Sequence, residues 1–358
     1  MKPATRGAFA RIVLAVAVAL CLAALLPALV RVPPGKAVGA LLTGAFGQPG
    51  NLRATQFAWA GTLLRTVPIL LTGLSVGIAF RAGLFNIGAE GQLLWGALAA
   101  AWVGAVWNLP PALHIAVAAG AGALAGALWA WPAAALKVRR QAPEVVTTLL
   151  LTFVAVNATT YLASHPLHDP TQQGPRTASV LPTALFPTVP GTRLHLGLLI
   201  SPGVAVLAAL LLQRTRFGFQ LEVVGRNAAA AESAGISVPR VQTRALQLSG
   251  AVAGLAGAAE VLGVHRYFLA GFSPGYGYEG IAVAVLGGNT PAGIVVAALF
   301  WGGLANGAVE MEVSAGVSRH LVTVIQALVI ITVAVRRWPA IPSAVRRTGP
   351  TASARPCT

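Results

Sequence analysis

Three of the nine acidic residues in this 358-residue chain stand where acids are rare. Glu90 lies in Gly83-Leu-Phe-Asn-Ile-Gly-Ala-Glu-Gly-Gln92, Glu279 follows Gly277-Tyr278, and Glu260 ends an apolar run. A carboxylate at membrane depth costs roughly 2.5–3.5 kcal/mol on insertion scales, so such a group is seldom there by accident. Asn86 and Glu90 are four apart and share a face if that stretch is helical. With Glu279 they outline a polar path for a solute through a bundle of helices. The competing reading is structural: Gly83, Gly88 and Gly91 allow a broken helix whose free N–H groups bind the carboxylate. Ser249, Ala253, Gly257 and Glu260 fall near one helical face, so Glu260 either tops a small-residue stripe or pairs with Arg266 at a helix end. Tyr276 and Tyr278 sit in a Gly-rich segment, which suits a solute-facing or gating role as well as a place in an interfacial aromatic belt. Asn289, like Asn157 and Asn306, is a polar group in or beside an apolar run, where hydrogen bonding between helices is the simpler role.

None of these residues forms a catalytic set. His165-Pro-Leu-His168-Asp169 lacks the H-E-x-x-H pattern, and Cys21 and Cys357 have neither metal-ligand nor disulfide spacing. No metal and no cofactor are expected. The three lysines, Lys2, Lys36 and Lys137, lie outside any G-x-x-x-x-G-K-[ST] pattern, so ATP-driven work would fall to another subunit.

The elements that must hold these groups are membrane helices. The chain is 56% hydrophobic and 9% charged, with a mean hydropathy of +0.74; soluble domains carry about 25% charged residues. The fold class expected is all-α, a polytopic integral membrane bundle of about ten spans. These fall at roughly 12–30, 58–80, 89–107, 113–136, 145–163, 196–213, 245–264, 268–287, 292–309 and 319–335. The eighth begins Gly271-Phe-Ser-Pro-Gly-Tyr-Gly-Tyr-Glu-Gly280, a poor helix, and reads as broken or re-entrant, as tolerated where backbone lines a cavity or is buried in protein. Residues 1–337 form one transmembrane domain, the first run being an uncleaved span rather than a signal peptide. Residues 338–358 are a basic tail expected to be disordered.

The net charge of +16 does not indicate nucleic acid. Arg and Lys cluster in short segments between apolar runs. With both termini cytoplasmic, inner segments hold 17 of them and outer segments seven, which is the positive-inside asymmetry. Four Gly-x-x-x-Gly pairs, at Gly73, Gly122, Gly250 and Gly303, would let helices approach closely. Glu144 follows a basic cluster and opens an apolar run, where an acid suits a helix start. The outer loop 164–195 is long. The inner loop 214–244 contains Arg226-Asn-Ala-Ala-Ala-Ala-Glu-Ser-Ala-Gly-Ile236, a short Ala-rich helix with a Gly stop, suited to docking on a cytoplasmic partner.

The stretch Gly83–Gln92 resembles the signature of permease subunits of bacterial ABC importers in the branched-chain amino acid/ribose superfamily, nearest its nucleoside and simple-sugar branch. Glu144-Val-Val-Thr-Thr-Leu-Leu-Leu, Phe217-Gly218, Val224-Gly-Arg-Asn227, Ala234-Gly-Ile236 and Gly277-Tyr-Glu-Gly-Ile-Ala-Val-Ala-Val-Leu-Gly-Gly-Asn289 support it, in the expected order. The resemblance implies a non-enzymatic half-transporter in a bacterial plasma membrane. Its partners would be a cytoplasmic ATPase, a second related permease and an external Bmp-type solute-binding lipoprotein. Arg226, Asn227, Ala231 and Gly235 would belong to the helix that couples to the ATPase. An ion-coupled secondary transporter, with Glu90 or Glu279 carrying a proton, is the rival reading.

Overall fold

Alanine, leucine and glycine runs punctuated by proline and capping residues dictate a chain of helices. The computed structural model describes residues 3–28 and 31–335; the tail 338–358 lies outside them. Thirteen α-helices are present among the described residues, and the only extended pairings there are isolated bridges. They are α1 (Pro3–Ala28), α2 (Pro34–Phe46), α3 (Leu52–Arg81), α4 (Ala89–Val106), α5 (Pro111–Arg140), α6 (Glu144–Ser164), α7 (Gly197–Arg214), α8 (Arg216–Arg226), α9 (Ala228–Ser233), α10 (Val238–Glu260), α11 (Tyr276–Leu286), α12 (Pro291–Ala315) and α13 (Arg319–Val335). Local chemistry sets the ends. Asn51 Oδ1 accepts from Ala54 N at 3.0 Å to start α3, and Thr290 Oγ1 accepts from Gly293 N at 3.2 Å to start α12. Pro111 and Pro291 occupy first-turn positions where a missing N–H costs nothing.

Six helices are long and apolar enough to cross a membrane by themselves: α3, α5, α6, α7, α10 with the turn that follows it, and α12. The protein is a multi-pass membrane protein. α3 and α10 are buried around most of their circumference, whereas α5, α6 and α7 leave most of theirs open, as helices that face lipid do. α3 is the hub, packed by α2, α7, α10, α11 and α12; α4, α5 and α10 form a tight trio beside it, and α1 and α13 pack together at the edge. The 13-residue helix α2, which the sequence reading left inside an outer loop, packs on α12 and α3.

Glycine makes the trio possible. A Cβ on Gly126 of α5 would overlap the carbonyl oxygen of Gly250 on α10 and stand 2.8 Å from Gly254 Cα. Gly303, by contrast, faces only side-chain atoms at 3.8 Å or more, so that expected pair is only half used.

The eighth expected span is a half-helix. α11 has 11 residues, about 16 Å at 1.5 Å per residue, against roughly 30 Å of bilayer hydrocarbon. The chain reaches it from α10 through a π-helical turn, Val261–His265, and an irregular segment. The loop 164–195 is stitched to that segment by backbone bonds: Thr177 N to Phe268 O at 3.0 Å, Val180 N to Arg266 O at 2.8 Å and Phe186 N to Leu262 O at 2.9 Å. Arg176 also lies over the Tyr267 ring, 4.4 Å from its centroid.

Candidate functional site

Glu90 is the keystone of the broken segment. It lies in the first turn of α4, 5% exposed, and its Oε2 accepts a hydrogen bond from Gly277 N of α11 at 2.7 Å. Helix starts leave N–H groups without partners. Here the Ser273 hydroxyl takes those of Gly275 (3.2 Å) and Tyr276 (3.3 Å), Glu90 takes that of Gly277, and the Gly275 carbonyl takes that of Tyr278 at 2.9 Å. The start of α11 is thus capped inside the bundle by a carboxyl from another helix. A Cβ on Gly277 would overlap the Glu90 backbone, so only glycine permits this approach. On the far side, Thr72 Oγ1 of α3 donates to Tyr276 O at 2.9 Å.

Asn86 belongs to a separate, closed network. It is fully buried; its Nδ2 donates to Gln92 Oε1 and Ser249 Oγ, each at 2.8 Å, and its Oδ1 accepts from Gly88 N at 3.0 Å. Ser249 in turn bonds Ser75, joining α10 to α3. The loop between α3 and α4 is pinned there.

Above this layer lies a cavity of about 400 Å³ between α3, α10, α12 and the segment before α11. Its polar lining is Arg65, Arg193, Glu260, His265, Tyr276 and Asn306, and its aromatic walls are Phe57 and Phe272. Of the residues singled out in the sequence, it gathers Glu260, Tyr276 and Asn306. Asn86, Glu90, Glu279 and Asn289 lie outside its wall, and Tyr278 is 41% exposed on the outer surface of the chain. Asn289 adopts a left-handed φ of 55° just after α11, where its N–H bonds Ala284 O and its carbonyl accepts from Arg81 Nε at 3.3 Å. Glu260 pairs with His265 rather than Arg266, the two approaching to 3.5 Å. The π-turn explains the switch: its wider winding brings positions five apart onto one face and turns Arg266 outward into a left-handed conformation. Arg65, half-buried in mid-helix, was missed as a site residue. Among the described residues it makes no ion pair, and its solitary position in an apolar helix was the available signal.

A larger cavity, about 670 Å³, lies next to the first between α2, α3 and α12 and shares Asn306 with it. Asn306 is glue, with Nδ2 donating to Gly44 O at 2.7 Å and Ala58 O at 3.0 Å. No residue of α11 lines that cavity, whereas Tyr276 at the start of α11 lines the smaller one.

At the other end of the bundle, Asn227 Oδ1 caps α9 by accepting from Ala230 N at 3.1 Å, and Gly235 (φ 77°) stops it. The Ala-rich helix is therefore shorter than Arg226–Ile236, six residues following α8. Arg226, Asn227 and Gly235 are exposed; Ala231 is fully buried in an apolar cluster that includes Leu221, Val224 and Leu246, and so seats the helix. Glu222 of α8 accepts from Arg226 at 2.6 Å and lies 3.9 Å from Arg81. Glu144 opens α6 and bonds Lys137 at 2.9 Å.

Residues 59–334 match the family described as "Branched-chain amino acid transport system / permease component". The guanosine ABC transporter permease NupP of Bacillus subtilis (strain 168) is 39% identical over 300 residues, 82% of this chain and 84% of its own. The glucose ABC transporter permease TsgB13 of Haloferax volcanii is 40% identical over 288 residues, 77% of this chain and 76% of its own. The nucleoside ABC transporter permease NupB of Lactococcus lactis subsp. cremoris is 31% identical over 293 residues, covering 77% and 79%. No solved structure matches the chain. The match over most of the chain, together with the bundle of apolar helices, makes this protein a member of the branched-chain amino acid transport system permease family.

Proposed function

We propose that this chain is the permease subunit of an ABC importer for nucleosides and that the cavity bounded by Arg65, Glu260 and Tyr276 receives the solute. That cavity is the observation that carries the reading. Its volume falls in the range of small-molecule sites, roughly 300–1,000 Å³. Its chemistry suits a nucleoside: Phe57 and Phe272 offer faces for stacking a base, Arg65 offers a planar donor fork, and Glu260 offers acceptors for ring and exocyclic N–H groups. A simple sugar is the second reading, favoured by the glucose relative and by the same polar groups; the two phenylalanines weigh toward a base.

Ten segments would traverse the bilayer, α11 only halfway, with both termini and the α8–α9 region cytoplasmic. The partners would be a cytoplasmic ATPase seated on the exposed face of α9, a second related permease and an extracytoplasmic solute-binding lipoprotein. ATP is consumed by the ATPase; this chain holds the path and moves. Uptake of labelled guanosine by cells carrying the whole transporter, with and without this chain and with ribose as competitor, tests the solute. Chain-dependent uptake that ribose leaves intact supports the nucleoside reading; entry of ribose alone replaces it with a sugar. In the same assay R65Q or E260Q removes one charge-assisted hydrogen bond, about 1.5–3 kcal/mol, and should raise the KM roughly 10- to 150-fold. Y278F, outside the cavity, should leave it unchanged.

A further inference from the structure

We infer that the cleft between the C-terminal end of α5 and the N-terminal end of α10 is a binding site for the phosphate headgroup of an anionic phospholipid. The two helices run antiparallel, held together by the Gly126–Gly250 contact. The space between them is a cleft of about 330 Å³ whose polar lining is Arg139, Arg240, Thr243, Arg244 and Gln247, with Trp131 as one wall. Residues 240, 243, 244 and 247 follow the i, i+3, i+4, i+7 spacing, so one face of α10 presents two guanidinium groups, a hydroxyl and an amide to the same space. Arg139 faces them from α5. Among the described residues none of the three arginines makes an ion pair, and no acidic residue lines the cleft. Three planar donor forks around one pocket are the arrangement that phosphate oxygens accept bidentately.

The occupant is identified as a lipid by what adjoins the cleft. Leu124, Leu128 and Trp131 are 60%, 60% and 48% exposed and lie one above another along α5, on the side away from Gly122 and Gly126. They form an apolar strip leading out of the arginine cluster along a helix whose circumference is mostly open. A tryptophan at the junction of a charged cluster and an apolar strip marks the headgroup level. Phosphate between the arginines and an acyl chain along the leucines fills both parts at once, and basic pockets between membrane helices bind anionic headgroups in this way. The cleft lies at the end of the bundle that carries α9; its assignment to the cytoplasmic leaflet rests on the orientation proposed above, while the binding itself does not.

The test is native mass spectrometry of the purified transporter complex titrated with dioleoyl phosphatidylglycerol, dioleoyl phosphatidylcholine or inorganic phosphate. Phosphatidylglycerol should bind the natural chain and be weakened about a hundredfold in R139Q/R240Q/R244Q, near fivefold for each arginine. Phosphatidylcholine should bind weakly and equally to both. The three arginines are exposed, so the triple variant should elute and melt like the natural complex; R240Q alone, expected to lose about fivefold, gives a second reading should the triple variant not assemble. Unchanged phosphatidylglycerol binding in the variants overturns the inference. So does displacement of the lipid by inorganic phosphate at equal concentration, which would make the cleft a site for free anions. A variant that keeps its lipid but sheds the ATPase subunit would assign the arginines to the protein partner and overturn it equally.

Discussion

Glu90 separates a structural role from a solute-contacting one, and two substitutions decide between them. E90A leaves the buried Gly277 N–H without its 2.7 Å acceptor, which costs about 1–3 kcal/mol. It also removes an acceptor aligned with the axis of α11 at its start, a helix-terminus contribution of about 0.3–2 kcal/mol. Together these give roughly 1.5–5 kcal/mol, enough to free the half-helix without unfolding the whole bundle. E90Q keeps a carbonyl oxygen of the same reach; it loses only the difference between a charged and a neutral acceptor, about 1 kcal/mol. The order expected for thermal midpoints of the purified complex is therefore natural chain, then E90Q, then E90A. E90A should fall by several degrees, at about 2 °C per kcal/mol. Solute import should follow the same order through maximal rate, since the cavity does not include Glu90. Two results would refute the reasoning. One is E90A melting with the natural chain. The other is E90Q raising the KM for solute with its midpoint and maximal rate intact, because a cap has no reason to change affinity alone.

Further expectations follow from the packing and the charges. G126A places a Cβ against the Gly250 carbonyl and should destabilise by about 3 kcal/mol, whereas G120A, with nothing within 4 Å, should not; fluorescence-detected elution after a heat step compares them. Burial pushes the His195 imidazole, in the outer loop, down from 6.5 to about 4. Between those values the unfolded chain binds a proton that the folded chain refuses. Stability should be full above pH 6.5 and decline as pH falls toward 4, by up to about 3 kcal/mol, with H195Q flattening that slope in melts from pH 7 to 4. R81Q breaks the link from Glu222 to the Asn289 carbonyl and should lower uptake more than ATP hydrolysis by the complex; equal loss of both would show that Arg81 only supports assembly.

Much of the bundle was legible because membrane insertion imposes a coarse rule: long apolar runs become helices, and each expected run contains one. What failed was finer. α2 escaped because 13 residues beginning Pro-Gly-Lys are too short and too polar at one end to read as a span, and what makes it a helix is packing on α12 and α3. Glu90 was legible as special but not as the cap of α11, since its partner lies 187 residues away and sequence spacing carries no such information. Of the two roles left open for Glu260, pairing with Arg266 does not form, because the chain there winds wider than an α-helix and brings His265 to the carboxylate instead. Arg65 was passed over because, lying within the second expected span, it was counted on neither side of the charge asymmetry.

The half-helix connects what would otherwise be two unrelated sites. Its start is fixed by Glu90 and Thr72 beside the 400 Å³ cavity, of which Tyr276 forms part of the wall. Its end passes through Asn289, whose carbonyl is held by Arg81, and Arg81 stands 3.9 Å from the Glu222 that binds Arg226 beside α9. This element of 11 residues is held at both ends by side chains from other helices, and its buried residues Ala282, Val283, Ala284 and Leu286 belong to the main apolar core. α11 thus joins the α8–α9 region, through Arg81 and Asn289, to the cavity wall at Tyr276. Gly83–Gln92 and Gly277–Asn289, two of the stretches that carry the family resemblance, therefore meet in one joint, Glu90 of the first accepting from Gly277 N of the second.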